Sequence, residues 1–377
     1  MAIKKGTLVS LLVFIMISLP SIVLAQSGEK SGHEKSSPSP WVITPLLSVD
    51  PKLSSSIGVL GGYLHSFDPE SPSSMFGLSA NYSDTKSWTA AAFAKTYFDK
   101  DMQRITAALA QGEIRNDYDD YLGTGIEVKT KDELDFFIFR YSYQIWQHWY
   151  LGVQILNSHY QILGLDQLWT NANNIVTEPP GFEGQDSIFG FDSIGVGGII
   201  EFDSRNDQRA ASAGQYFLMH NIAYRESFGG DEDFDTLDMR FTHYWSHGEN
   251  HVVAINLSGR WTKDAPPSGY SSVFTKGYTR GQYLAPYLTS LEVDYRLKFT
   301  KHWGMTAYAA IACLYGDAEF SDGNEKLNCS SQDNLYPSAA LGISYALKPE
   351  ENIVLRAEAA AGKNDNHGVY LSFGHPF

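Results

Sequence analysis

The chain has 377 residues, with 28 Lys+Arg against 43 Asp+Glu and a formal net charge of −15. A chain this acidic has no electrostatic reason to hold nucleic acid. After residue 25 no segment has the roughly 18 continuous apolar residues that a spanning helix needs, which excludes a helical membrane protein.

The chain opens MAIKKGTLVSLLVFIMISLPSIVLAQSG. Lys4 and Lys5 precede an apolar run, and Val23 and Ala25 are small residues at a cleavage-type exit, so residues 1–25 read as a secretory signal peptide cut near Ala25. No Cys follows the cut, so no lipid anchor is expected there. Residues 26–53 read as a polar linker and lead-in, of which QSGEKSGHEKSSPSP (26–40) is too polar to fold alone.

From there the hydrophobic period is two. Turn residues divide the chain into strands near 54–66, 74–82, 87–97, 103–115, 122–129, 134–146, 148–162, 191–203, 214–227, 233–247, 250–262, 287–300, 302–316, 335–347, 352–362 and 368–377, sixteen in all. No amphipathic helix of useful length interrupts them. In LTSLEVDYRLKF (288–299), Leu291, Val293, Tyr295, Leu297 and Phe299 face one way and Glu292, Asp294, Arg296 and Lys298 the other. In NIVLRAEAAAGK (352–363), Ile353, Leu355, Ala357 and Ala359 oppose Arg356 and Glu358. Alternation alone does not say which face is inside. Sixteen strands, however, make a barrel too wide for side chains to fill. The charged face then lines a wet or plugged interior, and the apolar face meets lipid. The fold class is all-β: a transmembrane antiparallel barrel of about sixteen strands, residues 54–377, with a polar lumen partly filled by an infolded external loop. Short links at 146–148, 246–250, Lys301 and 348–351 fall on one side, periplasmic if the first strand rises from there, and long links at 163–190, 263–286 and 317–334 on the other. The link at 203–214 is an exception, long where it should be short.

No catalytic constellation emerges. His243, Ser246 and His247, or His65 and Ser66, pair a hydroxyl with an imidazole but offer no oxyanion site, so no enzyme activity is expected. The acidic run GGDEDFDTLD (229–238) lacks the spacing of a calcium loop. No metal or cofactor is implied. Cys313 and Cys329 are the chain's two cysteines, and after export they either form a disulfide or remain two free thiols.

Several stretches resemble the barrel of the BamA/TamA superfamily, the bacterial surface antigen family. FDSRNDQRAASAGQYF (202–217) resembles its periplasmic turn motif, with Asp203, Ser204, Arg205 and Gly214 matching. The motif's usual Pro is Ser212 or a neighbour here, which predicts a looser turn. TKGYTRGQYLAPYLTSLEVDYR (275–296) resembles the family's sixth external loop and twelfth strand. Lys276, Gly277 and Tyr278 align with the loop's Arg-Gly-aromatic triplet, and Arg280 and Gly281 form a second candidate. VLRAEAAAGKNDNHGVYLSFGHPF resembles the last hairpin, and DPKLSSSIGVLGGYLHSFDPESPSS the approach to the first strand. The resemblance implies a barrel that inserts or translocates proteins at the outer membrane. Its implied partners are outer-membrane lipid and either unfolded outer-membrane proteins or a periplasmic partner. Fewer than thirty residues between the cut and strand one leave no room for the family's POTRA domains, so a stand-alone barrel is expected.

A cation folding in from the loop would meet Glu292 and Asp294 on strand twelve, beside Arg296, and Glu358 on strand fifteen. Lys is a point charge where the family's Arg is a fork, so this latch should be the weaker one. The alternative is that these are ordinary solvated charges. The seam between first and last strands should pair poorly. Gly58, Gly61 and Gly62 weaken strand one, and Gly374 and Pro376 weaken strand sixteen. Tyr370, Phe373 and the terminal Phe377 resemble the C-terminal signal of outer-membrane strands. Three functions stay open: an insertion or translocation barrel, a loop-gated passive pore, and a structural surface barrel.

Overall fold

A computed structural model describes residues 39–50, 54–118, 128–163, 189–266, 269–278, 283–320, 323–349, 352–364 and 366–375. The predicted signal peptide, Arg280, Gly281, Pro376 and Phe377 lie outside the described residues. The first half of the wall comprises β1 (Trp41–Asp50), β2 (Ser54–His65), β3 (Ser74–Ser83), β4 (Trp88–Phe98), β5 (Gln103–Tyr118), β6 (Val128–Trp146), β7 (Trp149–Leu163) and β8 (Phe189–Asp203). The second half comprises β9 (Gly214–Tyr224), β10 (Phe234–His247), β11 (His251–Lys263), β14 (Tyr287–Lys298), β15 (Trp303–Phe320), β17 (Leu335–Lys348), β18 (Ile353–Gly362) and β19 (His367–Phe373). Inside the 264–286 link, β12 (Ser271–Ser272) pairs with β13 (Leu284–Ala285), and β16 (Gly323–Leu327) pairs only with the end of β15.

Every wall strand pairs antiparallel with its neighbour in the chain, from β1 through β11, then β14, β15, β17, β18 and β19. The wall therefore has sixteen strands, but not the sixteen read from the sequence. Trp41–Asp50 is the first of them and lies within the stretch assigned to the linker and lead-in. WVITPLLSVD is a nearly continuous apolar run rather than an alternating one, and Pro45 interrupts it, so it carries little period-two signal. An edge strand tolerates Pro because one side needs no ladder, and among the described residues β1 pairs with β2 alone. At the other point of difference, 134–146 belongs to one long strand, β6, and most of 122–129 lies outside the described residues. The two differences cancel in the count. They reverse the direction of the first four predicted strands, so the links at 66–73 and 99–102 share a mouth with 147–148. An even count also puts residues 40 and 374 at that same mouth.

The wall is inside out relative to a soluble protein. On β7, Leu151, Val153 and Ile155 are exposed on the outer face, while Tyr150 and Gln154 are buried inside. On β14, Leu291 faces out, while Ser290, Glu292, Asp294 and Arg296 are buried in the lumen. Asp294 and Arg356 are both 0% exposed although charged. Such a surface fits lipid outside and a polar interior.

The seam also differs from the sequence reading. Gly58, Gly61 and Gly62 lie in β2, which pairs on both sides, with β1 and with β3. The free edges are β1 and β19, which touch, and no ladder joins them among the described residues. Side chains tie the base of β1 to the feet of β17 and β18 instead. Lys348 Nζ donates to the carbonyls of Ser39 and, at 3.0 Å, Trp41, and Val42 packs with Leu64 and Ile353. β19 stops at Phe373. The chain then turns at Gly374 and places His375 Nδ1 3.1 Å from Arg356 Nη1 in the lumen.

Candidate functional site

The long 264–286 link folds into the lumen, and three consecutive residues hold it there in three different ways. Lys276 reaches the polar wall, its Nζ 2.6 Å from Glu358 Oε2 and 4.6 Å from the Tyr308 ring centre. Gly277 lies flat on the β18–β19 hairpin and donates its N–H to Tyr370 Oη at 2.7 Å. It adopts φ +96, and a Cβ there would sit 3.1 Å from Ala361 C, so neither the conformation nor the space favours a side chain. Tyr278 enters an apolar pocket with Val273, Leu288, Leu314 and Tyr336. Its hydroxyl donates to Pro337 O at 2.6 Å and accepts from Lys363 N–H at 2.9 Å. β12 and β13 close the base of the loop, so the triplet projects from a small hairpin.

The wall beneath Lys276 is a continuous charged relay. Arg356 donates to both oxygens of Asp294, at 2.6 and 3.0 Å, and to Glu358 Oε1 at 2.6 Å. Arg296 Nε donates to Asp294 Oδ2 at 2.6 Å, and Thr306 Oγ1 donates to Glu358 Oε1 at 3.0 Å. The period-two face of β14 carries Glu292, Asp294 and Arg296, and that of β18 carries Arg356 and Glu358. Two strands, β15 and β17, separate them, and small residues on β17 let them meet. Ala340 and Gly342 face the lumen there, and a Cβ on Gly342 would come within 2.4 Å of Glu358 Cγ. Of the three carboxylates read as partners for the loop cation, Lys276 meets Glu358. Asp294 is occupied by the two arginines, and Glu292 accepts from Asn256 Nδ2 at 2.8 Å and Tyr308 Oη at 2.7 Å. Arg356, Tyr308 and Thr306 also belong to the site, beyond the lumen partners that the alternation on β14 points to. Their signal was their place on the same alternating faces. Tyr370, read as part of the C-terminal signal, is a loop acceptor inside the lumen.

A second cluster stands on the opposite wall. Arg104 contacts Asp101 at 2.6 Å, Glu201 at 2.6 Å and Asp203 at 3.0 Å, and stacks 3.9 Å from the Tyr150 ring centre. Arg205 forks onto Asp203, with two nitrogens at 2.8 Å, and lies 4.1 Å above Tyr216. Ser204 caps the turn through Gln215, and Gly214 adopts φ +101 where a Cβ would meet Ser204 O at 2.2 Å. The turn is not loose for want of a Pro. Asn206 Oδ1 accepts from Ser212 and Ala213 N–H, and Asp207 Oδ1 from Arg209 and Ala210 N–H, all within 3.0 Å.

Cys313 and Cys329 are joined by a disulfide that ties the body of β15 to the segment entering β17. Among the described residues no group of three or more His, Cys, Asp or Glu side chains could hold a metal ion.

These features define a membrane-type β-barrel with one of its own loops docked inside. The fold is similar to BamA from Haemophilus ducreyi lacking POTRA domains 1–3, with TM-score 0.54 and 11% identity over 89% of this chain and 69% of that one. It is similar as well to CdiB from Escherichia coli, with TM-score 0.57, 10% identity and 88% of this chain covered, and to CdiB from Acinetobacter baumannii, with TM-score 0.53, 10% identity and 85% covered. The chain spans 62% and 56% of those two CdiB chains. No family model and no curated protein matches it in sequence.

Proposed function

We propose that the chain is an outer-membrane barrel of the BamA/TamA type that inserts or translocates polypeptides, with lipid around its wall and an unfolded outer-membrane protein or a periplasmic protein as partner. The observation that carries this reading is the Lys276–Gly277–Tyr278 triplet seated on the inner face of β15–β19, the strands that lead to the β1–β19 edge, which no ladder closes among the described residues. A wall whose closing edge lacks a ladder has backbone donors and acceptors to offer an incoming strand. Depleting the protein and quantifying the other outer-membrane proteins tests the role in cells. In liposomes, the purified chain should accelerate insertion of an unfolded barrel substrate, and no acceleration refutes the reading.

A loop-gated pore is the second reading. A polar cavity of about 190 Å³ lined by Lys95, Arg140 and Ser142 favours it. Steady conductance at rest, lost when the loop is fixed inward, would select that reading.

A further inference from the structure

The link between β8 and β9, residues 204–213, is too long for a simple turn, and its contacts say where it goes. Arg209 Nη2 donates to Ser73 O at 2.8 Å, in the link between β2 and β3. Gln208 Nε2 reaches Asp101 Oδ2 at 3.4 Å, in the link between β4 and β5. Asn352 Nδ2, at the foot of β18, donates to Asp207 Oδ2 at 2.9 Å. A Cβ on Gly374, just past β19, would lie 4.0 Å from Arg209 O. In a sixteen-strand ring the β1–β19 seam is diametrically opposite the β8–β9 link. A segment that starts at one pole and touches both flanks and the far pole must cross the mouth.

Its inner side reaches upward. Ala211 is buried against Tyr244, Ala254 and Tyr216 of the lumen wall, and its carbonyl accepts from Arg296 Nη1 at 2.9 Å. Arg296 also holds Asp294, Asp294 holds Arg356, Arg356 holds Glu358, and Glu358 holds Lys276 of the docked loop. One unbroken chain of charged hydrogen bonds thus runs from the crossing segment to the loop.

We propose that residues 204–213 are a plug across the short-link mouth, and that Arg296 couples it to the docked loop so that one does not leave its seat without loosening the other. The inference uses the barrel reading but not the insertion role. Groups in one polar network share their energy and respond together.

The test uses the full chain reconstituted in liposomes and planar bilayers. Arg209→Ala with Asn352→Ala removes two rim tethers and leaves the relay intact. Each lost contact is a hydrogen bond with one charged partner, so protease cleavage within 264–286 and channel opening should both rise by at least about tenfold. Adding Arg296→Gln should give less than the product of the separate effects on cleavage. Resistance of the unheated protein to gel unfolding shows that the wall has formed. Should the tether variant not fold, Ser73→Cys with Arg209→Cys, joined by a short bis-maleimide, holds the segment down instead. The linked protein should then be cleaved more slowly in the loop than the unlinked one. Openings that rise while loop cleavage stays constant, fully multiplicative effects, or a crosslink without effect on cleavage would each overturn the coupling. A tether variant with unchanged conductance overturns the plug. Failure of the insertion assay above would leave all of these readouts in force.

Discussion

Lys276→Met isolates the ion pair that seats the loop. The Lys276–Glu358 contact is 2.6 Å long, with side chains 15% and 0% exposed, so solvent screens it little. Removing the lysine does not strand Glu358, which keeps Arg356 at 2.6 Å and Thr306 at 3.0 Å. The loss is then one charged hydrogen bond, about 1.5–3 kcal/mol, or roughly a ten- to hundredfold rise in the undocked population. Glu358→Gln is the harsher change. It leaves Lys276 buried without a carboxylate and Arg356 with Asp294 as its one remaining carboxylate partner among the described residues, a loss of about 3–5 kcal/mol. The readout is the rate of protease cleavage within 264–286 in outer-membrane vesicles, with mobility of the unheated protein as a control for the wall. Equal rates in wild type and both variants, or faster cleavage in Lys276→Met than in Glu358→Gln, would refute the latch.

Gly277→Ala should also release the loop without altering any charge, because φ is +96 and the added methyl meets the β18–β19 backbone at 3.1 Å; cleavage as slow as wild type would count against the seat described. Reducing Cys313–Cys329, which closes sixteen residues, should lower the heating temperature at which the folded form is lost, by the equivalent of about 3 kcal/mol. A mobility transition unmoved by reductant would remove that role. Asp68 supplies a pH prediction at the rim. The Ser71 hydroxyl, with the N–H groups of Lys100, Ser71 and Glu70, holds this half-buried carboxyl below its ordinary value. A lowered folded pKa stabilises above the unfolded one and is lost as pH falls through the lowered value. Amide protection at Ser71 and Lys100 should therefore be full near neutrality and fall below about pH 4. Asp68→Asn should show the loss at all pH values, and equal protection in both proteins at pH 7 would contradict it.

The barrel class was readable because period-two alternation survives in most of the wall and because a sixteen-strand interior cannot be packed dry. The true first strand was not readable, because an apolar edge strand with Pro45 shows neither alternation nor a turn signal. Within the site, Lys276 and Glu358 stand out as charges on a loop and on a lumen face. That Lys276 meets Glu358 rather than Glu292 depends on β17. Its Ala340 and Gly342 let Arg356 lean across to Asp294, and no pattern inside one strand reports a neighbour's smallness. The crossing path of 204–213 was visible only as a link of the wrong length. Its direction is written in Ser73, Asp101 and Asn352, each far away in the chain.

The partners of the docked loop have one more property in common. Pro337, Glu358, Lys363 and Tyr370 all come later in the chain than Lys276, Gly277 and Tyr278. The polar seat of the triplet is therefore incomplete until β17, β18 and β19 have all joined the wall. Seating of the triplet therefore reports that these three strands are in place. A half-built wall would carry its loop free and open to proteases, and a finished one would hide it.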